Sequence, residues 1–445
     1  MSLFRQLQQL HSAGTPLRIG VIGVGKFGTM FLAQAARLPG VHVVGVANLS
    51  VEDARSNLEL AGWTSNQFSA ASIDQALAQG STHVGDNADL LINAPGIDIL
   101  IECTGDPVIA VDHIVRAFES GKHVISATVE ADAVCGAELA RRATQNGVIY
   151  SMAYGDQPAM VCELVDWART CGFEVASAGR GHKWNPDYRF STPDTVWNHW
   201  GLTAEQAERG RLNPKMFNSF LDGTKPAIES AAIANACGLD AADQGLIYPR
   251  GSIDDLPSLM RPQADGGTLS KPGLVEVLNS LNPDGSEIDY NIRMGVWVNV
   301  KANTDYQRQC FEEYKVNTDE SGQYFCAYKR WHLIGLELGM SVAAIGLRKE
   351  PTGVADSFRA DVVAVAKRDL KAGEMLDGEG GYTVAGQLRP SAISVPMGAL
   401  PLGLTGNIKL KNDVSTDQIL TYADVELDET LTAVKLRRKV EGLIG

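Results

Sequence analysis

Residues 17–28 read Leu-Arg-Ile-Gly-Val-Ile-Gly-Val-Gly-Lys-Phe-Gly, an apolar run that passes directly into Gly23-x-Gly25-x-x-Gly28 and then into a helical pattern. Few twelve-residue stretches constrain a chain more. The spacing predicts a buried strand, a tight turn at Gly23, a close backbone approach at Gly25, and a helix that packs tightly on the sheet through Gly28. The amides at the start of that helix, Lys26 and Phe27 among them, then face a diphosphate.

The following text keeps the same rhythm. Val41–Ala47, Ile97–Cys103, Lys122–Ser126 and Val148–Met152 are apolar runs of strand length, and Val108–Ser120 and Ala131–Asn146 have helical character. Alternation of this kind predicts a Rossmann-type doubly wound parallel sheet in an α/β fold. The polar interval from Asn57 to Ala88 is expected to be helical decoration. A domain of residues 1–155 is therefore followed by a second, α+β, substrate and dimerisation domain over 156–330. A mostly β tail spans 351–445, where short strands alternate with Gly and Pro.

Composition narrows the function. The chain of 445 residues has a formal net charge of -14, which disfavours nucleic acid and anionic membranes and favours a small ligand in a locally basic pocket. Its 7 cysteines include no Cys-x-x-Cys, so neither a disulfide framework nor a zinc finger is expected, and a cytoplasmic setting fits. The apolar stretch Leu333–Leu347 is interrupted by Glu337, and no membrane span is expected.

Cofactor choice is read at the end of the second strand, where an acidic residue would reject a 2′-phosphate and Asn48 stands instead. Ser50 and Arg55, with Lys26, would favour that phosphate, so NADPH is the expected cofactor. Thr104, Gly105 and Pro107 follow the strand ending at Cys103 and are expected beside the nicotinamide.

Two groups in the middle of the chain carry possible chemistry. Asp222-Gly-Thr-Lys225-Pro-Ala-Ile-Glu229 places an acid, a base and a second acid at a helix start, with Asp222 as a cap and Lys225 and Glu229 on one face. A Lys beside carboxylates can polarise a carbonyl or pass a proton, although a capped helix with an exposed ion pair would read the same way. Arg180, His182, Lys183 and Arg189, interleaved with Asn185, form a basic loop suited to an anion, with His182 or Lys183 available for proton transfer.

Taken together, Gly23-x-Gly25-x-x-Gly28, Glu102-Cys-Thr-Gly-x-Pro107, Gly155-Asp-Gln-Pro158, Ser219-Phe-x-Asp222-Gly-Thr-Lys225 and Asp369-Leu-Lys-Ala-Gly-Glu374 resemble homoserine-dehydrogenase-like oxidoreductases with a C-terminal SAF domain. Within that group the chain is most similar to the 1-deoxy-D-xylulose 5-phosphate reductoisomerase-like enzymes of isoprenoid precursor synthesis. The resemblance implies NADPH-dependent formation of 2-C-methyl-D-erythritol 4-phosphate, a homodimer, and a segment near 335–347 that returns to brace the nucleotide domain. It also implies Lys225 as proton donor or acceptor, oriented by Asp222. His182 or Lys183 would move the hydroxyl proton, and Arg180 with Lys271 or Lys329 would hold the phosphate. Asp156, Gln157, Asn185 and Glu229 would line the substrate pocket. A divalent ion, Mg or Mn, could use Asp222, Glu229 or Asp156. The rivals are plain oxidation of a small hydroxy acid, sugar acid or homoserine-like alcohol, and an NADPH-sensing scaffold.

Overall fold

The structure is a computed structural model that describes residues 2–210 and 212–444. The chain forms two compact units, Met1–Met160 with Leu333–Asp356, and Val161–His332 with Ser357–Gly445.

The first unit is built on six strands: β1 (Leu17–Ile22), β2 (Val41–Ala47), β3 (His83–Gly85), β4 (Ile99–Glu102), β5 (His123–Ser126) and β6 (Tyr150–Met152). All pair in parallel, in the order β3-β2-β1-β4-β5-β6. The central strands are buried along nearly their whole length, as expected where helices cover both faces. The interval 57–88, expected to be helical only, also contributes β3 at the sheet edge. Three residues are too short a run for a period-2 signal, and pairing with Gly45, Val46 and Ala47 makes them a strand. The order reverses between β1 and β4, so a crevice opens at their C-terminal ends. Leu338, Val342 and Ile345, from the returning segment, share a core with Ile19, Phe31 and Leu32.

The second unit holds β7 (Glu174–His182), β8 (Leu274–Asn279), β9 (Val296–Lys301) and β10 (Tyr324–Lys329), in the order β10-β9-β7-β8. The chain then adds β11 (Ala360–Ala366), β12 (Met375–Asp377), β13 (Val384–Pro390) and β14 (Gly406–Lys409), paired as β11-β13 and β12-β14. Expected as a domain of its own, this C-terminal segment lies in the same compact unit as residues 161–332.

The cause is the helix Thr224–Cys237. Its alanine-rich sequence is buried almost throughout, so it packs against β7 and β8 and also against β11 and β13. Polar ties fix the register. Asn235 accepts from the amides of Arg359 and Ala360 and donates to Ala360 O, and Thr224 Oγ1 accepts from the Gly386 amide at 2.7 Å. No helix among the described residues is long and apolar enough to cross a membrane.

Candidate functional site

In the first unit the three glycines are absent side chains for different reasons. Gly23 has φ +92°, and a Cβ there would lie 2.6 Å from Cys103 O; at Gly28 it would lie 2.4 Å from Gly23 O. Protein backbone therefore excludes side chains at both positions. At Gly25 a Cβ would meet nothing within 4 Å. Gly25 is the N-cap of the helix Lys26–Ala35, which has no side-chain cap, so its first amides are left to an external acceptor. The turn fits a dinucleotide diphosphate.

Asn48 accepts from Val24 N at 3.0 Å and donates to Ser50 O at 2.9 Å. It is thus a brace of the glycine turn, where a ribose contact was expected. Ser50 caps the helix Val51–Leu60 by accepting from Asp53 N, which leaves its hydroxyl hydrogen available to a phosphate. Arg55 is exposed, its guanidinium 5.7 Å from the Phe68 ring centroid, and Lys26 is exposed beside Gly25.

On β4, the buried Glu102 carboxylate organises the second wall. It accepts from Thr104 Oγ1 and Thr128 Oγ1, each at 2.5 Å, while Thr128 Oγ1 takes the Gly105 amide at 3.1 Å. Gly105 has φ +75°, and Pro107 opens the next helix behind the Asp106 cap. Asp156 and Gln157 are buried, and Asp156 Oδ1 accepts the Gln157 amide.

In the second unit the candidate residues meet around the Gly223 turn. Asp222 ends the helix Pro214–Leu221, and Gly223, φ +88°, caps the next. Asp222 is not the N-cap, yet its Oδ1 still accepts the Thr224 amide at 3.0 Å. Its other oxygen lies 2.5 Å from Lys367 Nζ, both side chains being buried. That ammonium also donates to Ser191 O and Gly381 O. Lys225, expected as the partner of Asp222, lies half-buried on the first turn of the helix.

Glu229, four residues after Lys225 on the same helix, pairs with Arg180 from β7, both side chains nearly inaccessible. Arg180 Nη2 lies 3.5 Å from His182 Nδ1, and His182 Nε2 lies 2.6 Å from Phe220 O. A carbonyl can only accept, so the proton sits on Nε2 and Nδ1 faces a guanidinium. Burial first, then Arg180, holds the His182 pKa well below its usual value. His182 is a neutral tie in the core, and the expected proton-transfer role does not suit it.

Lys183 donates to His199 O at 2.9 Å and lies over the Trp200 ring; burial and then Arg293 lower its pKa. Asn185 caps the short turn Pro186–Phe190. The two lysines expected at a phosphate are also paired, Lys271 with Asp240 at 2.7 Å and Lys329 with Glu163.

The same unit contains a pocket of about 220 Å³ lined by Asp222, Gly223, Trp184 and Tyr248. Trp184 and Tyr248 stack at 4.3 Å, and a Cβ on Gly223 would come 3.4 Å from the Tyr248 hydroxyl. Glu276 on β8 accepts the amides of Ile247, Tyr248 and Val277, yet burial pushes its pKa up to about 7. Lys367, Glu276 and Tyr248 were not anticipated. The signals were a Lys closing the apolar run 362–366 and a Glu inside Leu-Val-Glu-Val-Leu at 274–278, both charges where burial demands a partner.

Metal binding finds little support in the donor set. Among the described residues no group of three His, Cys, Asp or Glu is placed to hold an ion, and Asp222 and Glu229 are already paired with cations.

Comparison with known proteins agrees with this division. Residues 20–152 match the homoserine dehydrogenase, NAD binding domain family, and residues 155–338 match the oxidoreductase DRL, catalytic domain family. By their descriptions the two families are an NAD-binding domain and an oxidoreductase catalytic domain. No curated protein matches the sequence.

Among solved structures, a biliverdin reductase from Synechocystis sp. PCC 6803 is 17% identical over 39% of this chain, with a TM-score of 0.27. That match spans 49% of the reductase, about half its length. A putative oxidoreductase, yvaA, from Bacillus subtilis is 12% identical, covering 76% of this chain and 91% of its own, with a TM-score of 0.38. A probable dehydrogenase from Thermotoga maritima is 15% identical with the same coverages and TM-score.

Proposed function

We propose that this protein is an NADPH-dependent oxidoreductase that interconverts a hydroxyl and a carbonyl on a small polar substrate. The observation that carries the reading is Gly25, which faces open space at an uncapped helix start while its two companion glycines are filled by backbone. Bound there, the nicotinamide cofactor supplies or accepts a hydride. Lys225 donates the accompanying proton to the carbonyl oxygen, or takes it from the hydroxyl in the reverse direction. Asp222, paired with Lys367, holds the turn that presents Lys225. Ser50 and Arg55 favour the 2′-phosphate.

For the substrate we carry forward 1-deoxy-D-xylulose 5-phosphate, whose rearrangement and reduction the motif resemblance implies. A second reading, reversible oxidation of a sugar acid or homoserine-like alcohol, is favoured by one observation: Arg180, Lys271 and Lys329 are each neutralised by a carboxylate. Plain oxidation needs no phosphate anchor.

The test follows NADPH absorbance with 1-deoxy-D-xylulose 5-phosphate, with and without Mg²⁺, and NADP⁺ reduction with homoserine and a panel of sugar acids. Consumption with the phosphosugar and formation of the branched product supports the first reading; turnover only with an unphosphorylated alcohol selects the second. Lys225→Met should lower turnover at least about a hundredfold while NADPH still binds. Full activity in that variant removes Lys225 from the mechanism.

A further inference from the structure

The first unit has a second cavity, away from the glycine turn. A groove of about 740 Å³ is lined by Arg18, Arg37, His11 and His42, with Trp63 and Leu77 on its walls. Arg18 lies near the start of β1 and His42 near the start of β2, whereas Gly23 follows the other end of β1. Gly23 is five positions on from Arg18, roughly 16 Å of extended chain. The groove is therefore distinct from the crevice that fits the dinucleotide.

Its charge is out of keeping with the chain. The protein carries a net charge of -14, yet no Asp or Glu lines the groove. Among the described residues neither guanidinium forms an ion pair. Arg37 Nη1 donates to Ala33 O and so caps the end of the helix Lys26–Ala35, but its remaining donors are not used there, and Arg18 caps no helix. His42 Nε2 donates to Ser81 O at 2.8 Å, fixing the ring. The Ser81 hydroxyl, next to the lining residues Gly80 and Thr82, is buried with no hydrogen-bond partner. Apolar contacts come from Leu38, Pro39 and Leu77. A volume of this size suits an organic molecule rather than a single inorganic ion.

We propose that this groove binds a small organic polyanion, held through phosphate or carboxylate groups by Arg18 and Arg37. Guanidinium groups offer paired donors that match either oxyanion. The proposal stands apart from the hydride-transfer reading.

Titration calorimetry on the full chain tests it with citrate and pyrophosphate as probes, each with and without saturating NADPH. At least one probe should bind the wild type at one equivalent, unaffected by NADPH. Arg18→Gln and Arg37→Gln should each weaken that binding about tenfold. Because the Arg18 side chain is exposed, thermal stability of unliganded Arg18→Gln should stay unchanged. Arg18→Gln makes no change at a helix cap and so gives a clean readout on its own. Binding of citrate alone identifies carboxylates as the recognised group, and of pyrophosphate alone, phosphates. No heat with either probe overturns the proposal, as does binding that NADPH displaces or that survives both substitutions.

Discussion

The glycine turn of the first unit and the Gly223 turn of the second solve opposite problems. At Gly23–Gly28 the polar groups are backbone amides, one glycine faces open space, and the nearby charges of Lys26 and Arg55 are exposed. Around Gly223 the polar groups are acidic and basic side chains, buried and matched: Asp222 with Lys367, Arg180 with Glu229. A site for a borrowed diphosphate is left unsatisfied until the ligand arrives. A site that must hold charges in place within a core satisfies them in advance, since an unpaired buried charge costs several kcal/mol.

The largest effect expected from this contrast falls on the matched side. Lys367→Met strands the Asp222 carboxylate and should cost about 3–5 kcal/mol in denaturant unfolding. A loss below about 1 kcal/mol would mean that Asp222 is well solvated and that the contrast is overdrawn.

The two glycines of the open side should then separate stability from binding. Gly28→Ala pushes a Cβ against Gly23 O and should cost about 1–3 kcal/mol, because backbone has to move. Gly25→Ala should leave the unfolding midpoint nearly unchanged but weaken NADPH about tenfold, since its methyl group intrudes only on the ligand. Equal NADPH affinity in Gly25→Ala would break the argument.

Titration gives a third comparison. Burial raises the Asp132 pKa from 3.8 to about 8 in the first unit, and that of Glu276 from 4.5 to about 7 in the second. In both cases the folded protein keeps a proton that the unfolded chain releases. The associated stability is complete below about pH 4 and is lost as pH rises, through about 7 for Glu276 and about 8 for Asp132. Melting temperatures measured from about pH 5 to 9 should therefore decline, less steeply up to about pH 8 in Asp132→Asn and up to about pH 7 in Glu276→Gln. Parallel curves for wild type and both variants would show that neither carboxyl holds its proton.

The smallest effect concerns cofactor choice. Arg55→Ala is expected to weaken NADPH about threefold to tenfold and to leave NADH unchanged, through loss of one exposed charge near the 2′-phosphate. Equal losses for both cofactors would reassign Arg55 to packing on Phe68.

Legibility in the sequence follows the same divide. Val41–Ala47 is found with the predicted limits, and the strands around Ile99–Glu102, His123–Ser126 and Tyr150–Met152 fall within the predicted runs, because a doubly covered parallel strand must be continuously apolar. β3 was missed because three residues carry no period. Near Gly223, the helix and its turn were readable from Asp222, Pro226 and the alanine run, whereas the partners of its charges were not. Lys225 is the nearest base in sequence, and the pairing of Lys367 with Asp222 carries no local signal.

The sequence by itself determined the dinucleotide turn and the parallel sheet around it, since both arise from residues a few positions apart whose backbone geometry is local. Tertiary structure decided which buried acid meets which buried base, and that His182 is a neutral strut. Burial requires every charge to find an opposite, but chain packing across 145 positions, from Asp222 to Lys367, chooses the one it finds.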